Sequence, residues 1–211
     1  MKRRFIILII VLLQSVRIFS QDIDSISIIC QHEIVAGKNF PIALLFYHDG
    51  IINNHITGDY LIESGNFTIS DSIVKVKKGV GTLTTNITTS GTFELKIHAT
   101  TLGKFINVSN ESQIINIGGE LSDNIVLSEN TTYRVTNDLT IPEDATLTIP
   151  KGITILLDHE VNIFIHGEIN IIGELNNPVV FGSYYPDQPW GGMILLNIPD
   201  TSLIRYSFFI S

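Results

Sequence analysis

The feature that most restricts what this chain can fold into is a run of punctuation. From Tyr133 to Ser211 no apolar stretch goes far before Gly, Pro, Asn or Asp closes it. Thr140-Ile141-Pro142 recurs as Thr148-Ile149-Pro150. Apolar residues alternate through this region: Leu139 and Ile141, Leu147 and Ile149, Ile153, Ile155 and Leu157, Val161, Ile163 and Ile165, then Ile169 and Ile171. The residues between them are often polar, as at Thr140, Thr148, Thr154, Asn162, His166 and Asn170. A period of two turns one set inward and the other outward, and branched side chains suit the pleated surface that results. Pro142, Pro150, Gly152, Gly167, Gly173 and Pro178 interrupt every window long enough for a helix. Strands this short and frequent leave two arrangements, an antiparallel meander or a stack of coils.

The order of the motifs bears on that choice. Thr146–Leu157, then Val161–Gly173, Pro178-Val179-Val180-Phe181 and Trp190-Gly191-Gly192 together resemble right-handed parallel β-helix proteins of bacterial surfaces, with a pectin-lyase-like fold. The resemblance covers the last third of the chain. It implies that 133–211 forms the first coils of a right-handed parallel β-helix. One coil cannot bury its own face, so about three must stack. The apolar run Tyr206–Ile210 is followed by no capping segment. That leads to the expectation that the chain continues in a longer protein, or that the open end packs against a partner or a second copy.

The chain begins with Lys2, Arg3 and Arg4 before an unbroken apolar run, Phe5–Leu13, and residues 1–20 read as a secretory signal peptide. Hydrophobic residues make up 44% and charged residues 16%, a balance that fits an ordered, strand-rich protein. Formal net charge is −8, and removing Lys2, Arg3, Arg4 and Arg17 with the signal takes it to −12. That argues against nucleic acid or anionic lipid as partners, and no membrane span is expected after signal removal. Cys30 is the single cysteine, so no internal disulfide can form. Residues 21–118 read as a separate β-sandwich, with strands expected at Ser25–Cys30, Phe40–Tyr47, Thr57–Ile62, Ile73–Val76, Gly81–Asn86, Thr92–Ala99 and, last, Gln113–Ile117. Glu33, Gly37 and Phe40, then Gly79–Leu83 and Ser90–Leu95, resemble the immunoglobulin-like (Ig-like) modules of bacterial secreted proteins. Gly118-Gly119 marks a boundary, and 119–132 is expected as linker and cap.

No catalytic constellation stands out, and no cofactor or metal is implied. His159 and His166 flank an alternating run with Asp158 and Glu160 nearby, but they read as surface residues. Glu168 with Glu174, or Asp187 with Asp200, are the carboxylate pairs available for acid–base work, and sequence does not bring either together. Tyr184, Tyr185 and Trp190 lie in a Pro-punctuated loop where aromatic rings can stack on sugars, although Trp190 reads rather as the start of a coil, packed as core. The expected protein is all-β: an Ig-like sandwich followed by the first coils of a β-helix. Its expected role is a non-catalytic structural or adhesive module of a secreted or cell-surface bacterial protein that contacts polysaccharide or a surface partner. The same module order resembles segments accompanying spore-coat-H-like kinases. That implies the alternative, an accessory part of a larger exported enzyme (such a kinase, or a polysaccharide lyase or hydrolase) with its active site beyond residue 211.

Overall fold

The structure, a computed structural model, describes residues 23, 25–65, 68–185 and 187–210. The expected signal peptide lies outside the described residues. Among the described residues there is no α-helix, and no helix is long and apolar enough to cross a membrane.

The first unit contains β1 (Ser25–Ile29), β2 (Glu33–Val35), β3 (Phe40–His48), β4 (Ile51–Ile52), β5 (Gly58–Glu63), β6 (Ile73–Lys77), β7 (Val80–Thr85), β8 (Gly91–Ile97) and β9 (Gly103–Ser109). Its strands run in the order β1-β3-β7-β6-β5-β8-β9-β2, with β4 paired to β3. β5 changes partner along its length. Gly58–Leu61 pair with β6, whereas Ile62 and Glu63 pair with β8. The sheet folds over at that switch and encloses one core, with Phe40, Ile42, Leu44 and Phe46 of β3 facing Phe93, Leu95, Ile106 and Val108 of β8 and β9. Strands β2, β4 and β9 do not stand out in the sequence. In β9, Phe105 and Ile106 are adjacent and apolar, which blurs the alternation; Ile106 turns inward and Phe105 stays exposed.

The second unit contains β10 (Ile115–Glu120), β11 (Ile125–Val126), β12 (Thr132–Ile141), β13 (Thr146–Pro150), β14 (Thr154–Leu157), β15 (Asn162–Ile165), β16 (Glu168–Ile172), β17 (Val179–Ser183), β18 (Gly192–Leu195), β19 (Leu203–Arg205) and β20 (Ser207–Phe209). Every pairing among them is parallel. The meander is thereby excluded, and the chain winds through three faces. The first face stacks the starts of β10 and β12 under β14, β17 and β20. The second stacks the ends of β10 and β12 under β15 and β18. The third stacks β11, β13, β16 and β19.

Inward side chains form columns, such as Tyr133, Ile155, Phe181 and Phe209. At the top of that column the Phe181 and Phe209 rings are stacked, 4.9 Å apart. Burying one such aliphatic or aromatic side chain is worth roughly 1.5–3 kcal/mol. At the corners, polar side chains satisfy backbone donors. Asp138 Oδ1 accepts from the Asn162 N–H at 2.8 Å, and Asn124 Oδ1 accepts from the Thr146 N–H at 2.8 Å.

Gln113–Ile117, expected to close the sandwich, instead leads into the β-helix. β10 runs on through Gly118-Gly119, and its residues on both sides of that pair bond to β12. The register shifts there, with Gly119 at φ +81°, so the glycines bend the strand without ending it. The stretch 119–132, expected as linker and cap, carries β11, which pairs in parallel with β13.

One corner depends on a glycine. Gly152 has φ +72°, and a Cβ there would come within 2.2 Å of Asn130 Oδ1 and 2.6 Å of Asn177 Nδ2. Those two side chains meet across it, the Asn177 amide donating to Asn130 Oδ1 at 2.8 Å. Gly152→Ala is therefore expected to destabilise the chain by about 2 kcal/mol, from backbone strain and a broken hydrogen bond. The urea midpoint measures it, and an unchanged midpoint would show that the corner yields freely.

Candidate functional site at the junction of the two units

Outward positions of a solenoid strand are normally wet. In β14 and β17 every residue is buried, outward ones included. Leu156 and Val180 belong to neither core, yet they are 1% and 0% exposed. β2 lies against β12, and β3 lies against β17. Ile29, Val35 and Ala43, on the outer side of the sandwich, are likewise buried outside its core. The sandwich thus rests sideways on the first face of the β-helix. Gln31, fully buried, donates from Nε2 to Thr154 Oγ1 across the contact. On one flank the Lys104 ammonium donates to the carbonyls of Cys30 and Asn176, the latter at 2.6 Å. Burial pushes the nearby Cys30 thiol up to about 11, which keeps it protonated and inert.

On the other flank the junction is closed by a stack of charges around one ring. Lys38 follows β2 in the sandwich, Glu111 lies in a 3₁₀ turn between the units (Glu111–Gln113), and Arg134, Asp158 and Tyr184 belong to the β-helix. The Lys38 Nζ lies 3.4 Å from the Tyr184 ring centroid and the Arg134 Cζ lies 3.6 Å from it. Two atoms that close to one centroid fit only on opposite faces, so the ring is held between two cations. Each such contact is worth about 0.5–2 kcal/mol. Glu111 Oε1 accepts from the Tyr184 hydroxyl at 2.6 Å and pairs with Lys38 Nζ at 2.6 Å. Asp158 takes Arg134 in a two-pronged grip, at 2.8 and 2.9 Å. Two cations are thus matched by two carboxylates. The hydrogen bonds from Lys38 and Tyr184 hold the Glu111 carboxyl below its usual range. Burial, then the hydrogen bond to Glu111, pushes the Tyr184 phenol up to about 12.

The loop expected to meet sugars is therefore divided. Tyr184 is 8% exposed and both its faces are covered, so its ring has no face open to a ligand. Tyr185 stands edge-on to it, 4.9 Å away, and is 44% exposed. Trp190 packs against the β-helix core and donates its indole N–H to the Ile210 carbonyl at 2.9 Å. His159 turns Nδ1 toward the Pro189 carbonyl at 3.0 Å, Glu168 accepts from the Asn170 amide, and Glu174 pairs with Lys151. Among the described residues no three metal-ligating side chains cluster. Sequence reading missed Lys38, Glu111 and Arg134, which lie far apart in the chain. The apolar outward pair Leu156 and Val180, where other strands carry Thr or Asn, was the available signal. Beside the junction a groove of about 350 Å³ is lined by Glu111, Ile114, Asn116, Arg134 and Tyr184. A larger open cleft, about 810 Å³, lies on the sandwich where β5 switches partners, far in sequence from the aromatic loop.

Residues 119–201 match the profile of a family described as a pectate-lyase like beta helix domain. That match begins inside β10 and agrees with the parallel coils. No curated protein matches the chain. Among solved structures, one described as "Crystal structure of the S-layer protein SbsC domains 4 and 5" aligns at 16% identity and a TM-score of 0.31. The alignment covers 42% of this chain and 51% of that one, and at that score it bears on neither fold nor function.

The raised Tyr184 phenol has a sign that can be followed. Its protonated form is favoured in the folded chain, so its contribution is full below pH 10 and is lost as pH rises toward about 12. Ultraviolet titration is expected to show one tyrosine ionising near pH 12, and Tyr184→Phe to remove that step. Titration of all tyrosines near pH 10 would mean that the junction does not enclose the ring.

Proposed function

We propose that this chain is a rigid structural module of an exported, surface-associated bacterial protein, in which an Ig-like sandwich is fixed sideways to a parallel β-helix. The observation that carries this reading is the junction itself. Leu156 and Val180 are outward-facing yet buried, and the Tyr184 ring is held between Lys38 and Arg134. A flexible tether would need neither. The strand order supports the Ig-like assignment: β1-β3-β7-β6 corresponds to the four-stranded sheet of such domains, and β5-β8-β9 to the three-stranded one. Export is supported by the basic and apolar character of residues 1–20. A spacer role is supported by the β-helix, whose stacked parallel coils extend along one axis and resist bending. Net negative charge suits a surface protein that stays soluble and repels nucleic acid and anionic lipid.

Small-angle scattering tests the rigidity. The chain is expected to scatter as one stiff particle whose dimensions match the docked arrangement. Lys38→Ala combined with Tyr184→Ala is expected to enlarge the radius of gyration and lower stability by roughly 1–3 kcal/mol, with the far-ultraviolet strand signal kept. A wild-type chain that already scatters as two loosely linked bodies would overturn the reading.

A further inference from the structure

We propose that the groove on the Lys104 flank of the junction is a docking site for the C-terminal end of a partner polypeptide, added as an extended strand beside β1. The groove, of about 320 Å³, runs between residues 26–28 of β1 and residues 102–104 leading into β9, with Asn176 of the β-helix also in its lining. Both strands present open backbone there, and the register shows why. The Phe46 N–H donates to the Gly79 carbonyl, so even-numbered residues of β3 bond toward β7 and odd-numbered ones toward β1. Tyr47, Leu45 and Ala43 thus bond to Ser25, Ser27 and Ile29. The backbone N–H and C=O groups of Ile26 and Ile28 turn the other way, to the free edge. On β9 the Asn107 N–H donates to the His32 carbonyl, so odd-numbered residues bond away from β8. β2 pairs only with Asn107, Val108 and Ser109, which leaves the backbone groups of Gly103 and Phe105 open. A free edge is usually blunted by proline or charge, and the sequence of β1, Ser-Ile-Ser-Ile-Ile, carries neither.

Lys104 selects which end of a chain docks. Its partly buried ammonium donates to the Cys30 and Asn176 carbonyls and, among the described residues, meets no carboxylate. An ammonium has three donors, so one remains for a ligand. Burial lowers the Lys104 pKa, a direction that a neighbouring carboxylate would reverse. β1 runs toward Cys30, so a strand parallel to it brings its C-terminal carboxylate to Lys104. The opposite direction would set an α-ammonium against the lysine. Main-chain bonds to Ile26 and Ile28 hold such a strand, and the charge fixes where it ends. At about 3.3 Å per residue, three residues span the open edge. Leu102 is exposed in the same lining, so apolar side chains near the end of the ligand are favoured. The Asn176 carbonyl helps to aim the ammonium, so the site belongs to the docked arrangement. This inference goes beyond the spacer reading, and a stiff module that captured no peptide would leave that reading intact.

Fluorescence polarisation on the full chain tests it, with fluorescein-labelled tetrapeptide pools, each ending in one fixed apolar residue and a free carboxylate. At least one pool is expected to saturate below about 1 mM. A single sequence from that pool, amidated at its C-terminus, should bind about tenfold more weakly, the loss of one hydrogen bond to a charged group. Lys104→Met should lose the same tenfold and no longer distinguish acid from amide. The amidated peptide reads that contact without touching the fold. Methylating single backbone nitrogens of the peptide should abolish binding at the position that faces β1 and be tolerated at its neighbours, because a strand turns successive N–H groups to opposite sides. Lys96→Ala, in the sandwich cleft away from the groove, should bind as wild type does. The proposal is overturned if no pool saturates by about 1 mM, a level that would miss only the weakest contacts. An amide that binds as tightly as the acid, or N-methylation that weakens binding equally at every position, would also overturn it.

Discussion

A coil of this β-helix is too thin to have an interior of its own. Ile155 gains a buried environment only because Tyr133 lies below it and Phe181 above, and the same holds for Ile163 between Leu139 and Met193. Each rung therefore depends on its neighbours staying in parallel register. A shift by one residue would turn every inward side chain outward. The corners serve that register. Asp138 and Asn124 hold the backbone of the following rung, and Gly152 lets Asn130 and Asn177 meet. The rest of the molecule is arranged around this stack.

The sandwich supplies what the stack lacks on one side. Thr154, Leu156 and Val180 would face water on an isolated β-helix, and in this chain they face β2 and β3. The contact is apolar at its centre and polar on its flanks, with the Lys104 ammonium on one edge and the Lys38, Tyr184 and Arg134 stack on the other. Such a contact combines area with direction. Apolar burial holds the units together without fixing an angle, because it is non-directional. A ring gripped from both faces fixes the angle. Glu111 adds the connecting segment to the same cluster, so the segment between the units is fixed as well.

The groove beside Tyr184 is built from the β-helix and from the segment between the units. Asn116 and Arg134 come from the β-helix, and Glu111 from the segment between the units. Tyr184, whose rim position suggested a ligand contact, is consumed by the junction. Its neighbour Tyr185 stays exposed. Two adjacent tyrosines, alike in sequence, thus differ in exposure because successive residues leave the strand end in different directions.

Much of the architecture was legible in the sequence. Alternation at Leu139–Ile171 specified strands, and Pro142, Pro150 and Gly152 kept them short. The inward residues named from that alternation are the buried ones. Short-range pattern carries this information because the pleat repeats every two residues. The pattern was silent on which strands pair, and parallel coils and antiparallel hairpins share a period. It placed a break at Gly118-Gly119, where β10 only bends, because glycine permits a turn without requiring one. It also left Tyr184 and Tyr185 equivalent. The sequence by itself determined that this is a β protein with a repetitive, tightly punctuated second half. Only the tertiary structure decided that the two halves dock, that Lys38 and Arg134 close on Tyr184 from opposite sides, and that a groove opens beside them. Those contacts join residues nearly 150 positions apart (Lys38 and Tyr184, separated by 146). Nothing in the local period of a strand encodes what will lie against its outer face.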